Sequence, residues 1–362
     1  MRGRVCQGGV LASVVDRVAE IEMDIELTQA APFAAPVVDS LSVRVLVDSA
    51  YDRFISDATH PLVRIEHVRH IPGHERSTFA GEWGLSLHLE SAQAGGKSQY
   101  LLDFGYTPEV LIRNFALLDL DPARIDGLIL SHGHRDHYGG LDGFVAHHRA
   151  HMPAEVKLFT GGESAFAEKW IKRRNADPVS WGRLDRGALE AEHVATVCCD
   201  RAQALAGPFT TGPIPRNSFE RILDSTLVEP TPAAAVDHFT KAERQGRLVP
   251  DQHPDEHATC YVVQGRGLVV ISSCGHIGLI NTIKAAMAAS GVSKLHAVLG
   301  GFHLGPAPID YVEHTVAELK SLSPDVVVPM HCSGAKFVLA MQREMPDRLV
   351  TTNIGSRFTF GA

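Results

Sequence analysis

The stretch that most limits the fold is residues 128–140, which read Leu-Ile-Leu-Ser-His-Gly-His-Arg-Asp-His-Tyr-Gly-Gly. A short apolar run bounded by turn residues reads as a buried strand. It runs straight into three histidines and an aspartate held within six positions. In a loop leaving a strand, His132 and His134 can point the same way, two residues apart. Asp136 and His137 follow where the chain turns into a helix. Imidazole nitrogen and carboxylate oxygen are the donors Zn²⁺ prefers, and Mn²⁺ or Fe²⁺ accept them. Gly133, Gly139 and Gly140 are expected to let the backbone turn tightly beside the ion. The segment predicts a metal centre at the end of a sheet strand.

Around it, apolar alternation predicts strands at 43–48, 85–89, 100–103 and 128–130, with an amphipathic helix over 108–118 and a turn at 122–125. Residues 267–345 alternate regularly: strand 267–271, helix 277–288, strand 297–299, helix 311–322, strand 326–329, helix 335–345. Strands alternating with helices make an α/β protein. Residues 1–40 read as an N-terminal extension, with Ala30–Pro36 as its linker. The fold domain is expected over 41–362, and residues 160–255, rich in Arg, Asp, Glu and Pro, read as an insertion capping the site.

Four donors on one loop cannot close two metal sites. His276 follows the apolar strand that ends Val270-Ile271-Ser272-Ser273-Cys274, and His331 follows Val326–Met330. Both sit at strand ends, as the main cluster does, and are expected to be ligands. Cys274 and Cys332 flank these loops and read as small buried residues.

The pattern H-x-H-x-D-H with two strand-end histidines resembles the metallo-β-lactamase superfamily. The resemblance implies an αββα sandwich with an inserted cap, and two divalent metal ions, Zn²⁺ first, at one edge of the sheets. It assigns His132, His134 and His276 to one ion, and Asp136, His137 and His331 to the other. Leu102-Asp103-Phe104-Gly105, Ser273-Cys274-Gly275-His276, Gly300-Gly301-Phe302-His303-Leu304, Met330-His331-Cys332-Ser333-Gly334 and Thr211-Gly212-Pro213-Ile214-Pro215-Arg216 are similar to the branch named for a dihydropterin–ribofuranosylaminobenzene phosphate synthase. His303 stands where many superfamily members have an aspartate bridging both metals. A neutral imidazole has one free lone pair and cannot bridge as a carboxylate does. His303 is therefore expected to be a ligand of one ion or a proton donor. Trp83 stands where the branch more often has histidine, and is expected to pack or to stack on a flat substrate.

Metal coordination lowers the pKa of bound water from about 15.7 to about 7. The expected reaction is hydrolysis by metal-bound hydroxide, oriented by Asp136, of a small anionic phosphoester, ester, lactone or amide. The alternative is a transferase of the synthase type, in which the metals neutralise a leaving diphosphate while an aryl amine attacks. A nuclease and a non-catalytic metal-binding protein are the remaining readings. Arg216 and Tyr138 are candidate substrate contacts. The net charge of −8 and pI near 6.2 argue against non-specific binding of nucleic acid. No apolar run is long enough to span a membrane, the N-terminus makes a poor signal peptide, and six cysteines without paired spacing suit free thiols. The expected setting is cytoplasmic, with a small-molecule substrate as the partner.

Overall fold

The structure is a computed structural model that describes residues 33–229 and 248–361. Two large sheets face each other. The first has eight strands in the order Val194–Cys198, Val156–Thr160, Gly127–Leu130, Gly96–Leu102, Ser86–Gln93, Ser40–Val47, Arg357–Gly361 and Arg64–Glu66. The second has seven: Gln203–Ala204, Phe209–Thr210, Thr259–Val263, Gly267–Ser272, Leu295–Gly300 and Val326–Pro329 in order, with Val37–Val38 beside Thr259–Val263.

Strand alternation sorts the side chains into layers. Ile129, Leu87 and Val43 of the first sheet meet Val269, Ile271, Leu299 and Val328 of the second in one apolar core. The alternate residues Leu128 and Leu130 face outward, onto Leu111 of helix Pro108–Leu117 and Phe144 of helix Leu141–His148. Val270, Val298 and Val327 face outward on the other side. They pack on helices Leu279–Ser290, Ile309–Leu322 and Ala335–Glu344. The layers are therefore helix, sheet, sheet, helix, as expected.

Gly127–Leu130 runs parallel to both of its neighbours, and Gly267–Ser272, Leu295–Gly300 and Val326–Pro329 run parallel to one another. Ser272 pairs with Gly300, and Gly300 with Pro329, so three loops leave the second sheet side by side. This register brings Cys274, His276, His303 and His331 to one edge.

Three expectations change. The strand pairing begins at Val37, before residue 41; the extension to residue 32 lies outside the described residues. Residues 160–255 are not one unit. Val194–Cys198 joins the first sheet, and Gln203–Ala204 and Phe209–Thr210 join the second. What remains is a separate antiparallel sheet of four strands, Lys169–Ile171, Val179–Gly182, Thr226–Val228 and Val249–Pro250. Finally, Thr259–Val263 is a strand that periodicity does not single out, because all five of its residues are buried and none alternates.

Candidate metal centre

The loop from strand Gly127–Leu130 turns into a short helix, Arg135–Tyr138. Its glycines are needed for close approach rather than for unusual backbone angles. Gly139 and Gly140 have φ of −59° and −85°. A Cβ on Gly139 would run into the carbonyl oxygens of Tyr106 and Arg135.

Two of the loop's three imidazoles, His132 and His137, are oriented from behind by one buried carboxylate. Asp103, at the end of strand Gly96–Leu102, takes His137 Nδ1 at 2.7 Å and the Ser131 hydroxyl at 2.8 Å. The Ser131 hydroxyl is 2.9 Å from His132 Nδ1. With each Nδ1 engaged, the Nε2 atoms of His132 and His137 project forward. They are buried without a hydrogen-bond partner, as are Nε2 of His134, His276 and His331 and Oδ1 of Asp136. A buried polar atom left unpaired costs about 1–3 kcal/mol. Six of them together, each of a type that binds divalent cations, fit a metal centre rather than a packed core.

The rings gather at one place. Centroids of His132, His134 and His276 lie 4.6, 4.7 and 4.9 Å apart. Donor atoms of Asp136, His137 and His331 fall within 4.8 Å of one another. The groups of mutually close donors cut across the first set: His134 and His276 group with Asp224 and His253, while His132 groups with His137 and Cys274. Asp224 Oδ2 lies 2.9 Å from His276 Nδ1 and 2.8 Å from His253 Nε2. The His253 ring stacks on His276 at 4.1 Å.

Asp224 and His253 escape sequence reasoning, as does the whole segment Asp251–His257. Its side chains fix two loops at once. The Asp255 carboxylate accepts the Gly133 N–H at 2.7 Å, and Glu256 accepts the N–H groups of His276 and Ile277 at 2.8 and 2.7 Å. His257 Nε2 meets the Leu130 carbonyl at 2.9 Å. Buried Lys169 joins Asp251 at 2.7 Å and lies 3.7 Å from Asp255. The only sequence signal was density: two histidines, two aspartates and a glutamate within 251–257.

Charge is distributed unevenly. Burial, reinforced by neighbouring imidazoles, pushes His132 and His134 well below the ordinary histidine value, so both are neutral donors. Burial alone would raise Asp136, but His137 and His331 hold it down at about 2. Burial opposes charge on His253 too, yet Asp224 and Asp251 push it up to about 9. Burial would likewise lower His331, but Cys332 and Asp136 raise it to about 9.

The other candidates separate. His303 places Nδ1 3.5 Å from Cys274 Sγ, with its ring 4.2 Å from His276; it groups with those two residues and not with His137 or His331. Trp83 is 54% exposed with its ring 4.8 Å from that of His331, so it borders the centre. Trp181 lies 5.0 Å from His134. Tyr138, a candidate substrate contact by sequence, packs in the apolar cluster behind the first sheet. Arg216 is held by Gln252, at 2.9 Å to its side chain and 2.6 Å to its carbonyl, next to His253. The described cysteines, Cys198, Cys199, Cys260, Cys274 and Cys332, are free thiols. Among the described residues no helix is long and apolar enough to cross a membrane.

Comparison with known proteins agrees with this geometry. The sequence profile of the metallo-beta-lactamase superfamily matches residues 93–222. The 7,8-dihydropterin-6-methyl-4-(beta-D-ribofuranosyl)-aminobenzene-5'-phosphate synthase of Methanocaldococcus jannaschii is 30% identical over 294 residues, 78% of this chain and 92% of the relative. An uncharacterised protein of the same organism is 24% identical over 271 residues, 73% of this chain and 89% of that protein. A crystal structure described as a metal-dependent hydrolase of the beta-lactamase superfamily superposes with a TM-score of 0.64. It is 21% identical and covers 88% of this chain and 98% of its own. The chain belongs to the metallo-β-lactamase superfamily, in the branch that includes the synthase.

Proposed function

We propose that this chain is a metal-dependent hydrolase that binds two divalent cations and acts on a small anionic substrate. One cation is held from the His132, His134 and His276 side, the other by Asp136, His137 and His331. The observation that carries the reading is the set of buried, unpaired Nε2 and carboxylate atoms converging from loops of both sheets. Bound there, the cations would activate water and neutralise charge developing on a phosphoryl or acyl oxygen. The protein's own part is orientation. Asp103 fixes His137 directly and His132 through Ser131, so both present Nε2. Asp136 supplies a charged ligand. His253, cationic between Asp224 and Asp251, holds Asp224 beside His276 and Asp251 near His134.

A second reading, transfer of the synthase kind, is favoured by the 30% identical relative and by exposed Trp83, whose ring offers a face to a flat substrate. Both readings use the same ligands. A panel of p-nitrophenyl phosphodiester, lactone and β-lactam substrates, run on stripped protein with Zn²⁺, Mn²⁺ or Fe²⁺ restored, separates them. Metal-dependent turnover of any hydrolytic substrate supports the first. Metal-dependent coupling of an aryl amine to a pterinylmethyl diphosphate donor, with release of diphosphate and no hydrolysis, replaces it with the second. Neither activity in protein that binds metal would defeat both.

A further inference from the structure

Three of the five donor groups at the centre contain the same side chain. The Cys274 sulfur falls within 4.8 Å of donor atoms of His132 and His137, of His276 and His303, and of His331 and Cys332. It thus reaches histidines assigned to both cations. We propose that Cys274 is a metal ligand whose thiolate lies between the two cations, in the bridging role that a carboxylate fills in many superfamily members. The proposal rests on the two-cation reading above.

The chemistry suits the residue. A thiolate sulfur binds Zn²⁺ at about 2.3 Å and has lone pairs enough for two cations. His303, the residue at the bridging position by sequence, has one lone pair to offer and groups only with Cys274 and His276. On binding, the Cys274 S–H bond ionises, its proton passes to solvent, and the sulfur lone pairs go to the cations. No oxidant or reductant is involved.

Cys274 is also set apart from an ordinary buried thiol. Cys260 packs in the apolar cluster under the outer helices. Cys274 is equally buried, yet it belongs to none of the apolar clusters. Cys332 is the weaker candidate, because its sulfur already has backbone partners. It accepts the His303 N–H at 3.2 Å and donates to the Cys274 carbonyl at 3.4 Å. It lies 3.2 Å from the Cys274 sulfur, close enough for the two sulfurs to share one proton. Cys332 therefore positions the ligand.

The test uses the full chain, stripped of metal and titrated with Co²⁺. The wild type should bind two ions and develop the near-ultraviolet thiolate-to-cobalt charge-transfer band. Cys274→Ser should lose the band and bind the second ion about 100-fold more weakly, at the upper end of what loss of a supporting group costs a metal site. Cys332→Ser should keep the band. Two bound ions with no band in the wild type, or a band retained in Cys274→Ser, would each overturn the bridge while leaving the two-cation reading intact. A wild type that binds no cobalt would overturn both.

Discussion

The two sides of the centre start from one loop but obtain their negative charge differently. Asp136, His137 and His331 include a carboxylate among the donors themselves. His134 and His276 group with the Asp224 carboxylate, which is already engaged by the His276 and His253 rings. Asp224 lies 2.9 Å from His276, and Asp251 lies 3.9 Å from His134. Both aspartates come from the chain between the two sheets' main strands, the same stretch that carries the small third sheet. An ion on the Asp136 side meets its counter-charge in the ligand set. An ion on the His134 side depends on residues that touch it through histidine. The second arrangement is easier to retune by sequence change, because the ligands can stay while the layer behind them varies.

The largest expected effect tests whether the sides are separate at all. His276→Ala should remove one ion and His331→Ala the other. Either should abolish measurable activity, since the lost donor leaves an open, water-filled position. Metal analysis of the purified variants reads the outcome. Loss of both ions from either variant would mean one cooperative site, and the comparison would collapse. Full occupancy in both would remove these histidines from the ligand set.

A smaller effect sharpens the comparison. Asp103 serves His137 directly and His132 through Ser131, whereas the Asp224 carboxylate meets the His276 and His253 rings. Asp103→Asn should weaken both ions and Asp224→Asn only one, each by about 10–100-fold, the usual cost of losing a partner behind a ligand. Stepwise metal titration separates the constants. Equal weakening of both ions in Asp224→Asn would show that its charge reaches across the whole centre.

How much of this was legible depends on where the information lies. The His132–His137 loop, His276 and His331 were readable because each follows an apolar strand, and strand ends in a parallel sheet face one way. The segment Asp251–His257 was not. Its work is done by carboxylates accepting backbone N–H groups on other loops, at Gly133, His276 and Ile277. Such contacts leave no periodic trace. Strand Val194–Cys198 was missed because it closes an edge of the first sheet and is only partly buried, so its pattern is weak. Arg357–Gly361 alternates cleanly, but its partner Ser40–Val47 comes from the other end of the chain, and local pattern says nothing about such pairing.

His303 is the residue on which sequence and structure differ most usefully. Its sequence position is that of a bridging aspartate, but its ring meets His276 and Cys274. His303→Asp should therefore leave the affinity on the Asp136 side within about two-fold, a difference under 0.5 kcal/mol. Counting ions bound to the stripped variant decides it. A clear rise in occupancy on that side would mean that residue 303 does reach between the cations, and that the ring position seen here is not the one that matters.

A last effect, on substrate rather than metal, concerns the open face of the Asp136 side. Trp83 is the exposed large side chain there, with its ring against His331. Nothing in its position makes it a ligand, so Trp83→Ala should leave metal content unchanged. Its face is available to a planar substrate, and aromatic pairing is worth about 0.5–1.5 kcal/mol beyond burial. Trp83→Ala should then raise KM by about two- to twelve-fold for an aryl substrate, with kcat nearly constant, because uniform binding is lost. An alkyl substrate with the same reacting group should be indifferent, and Trp83→Phe should restore most of the loss. Trp181 stands on the other side, 5.0 Å from His134, but its indole N–H is held by the Tyr106 hydroxyl at 3.1 Å. Trp181→Phe should therefore cost stability before it costs substrate selectivity. If the two variants discriminate equally between aryl and alkyl substrates, the flat ring lies across both sides of the centre, and the substrate rather than the ligand set is what joins them.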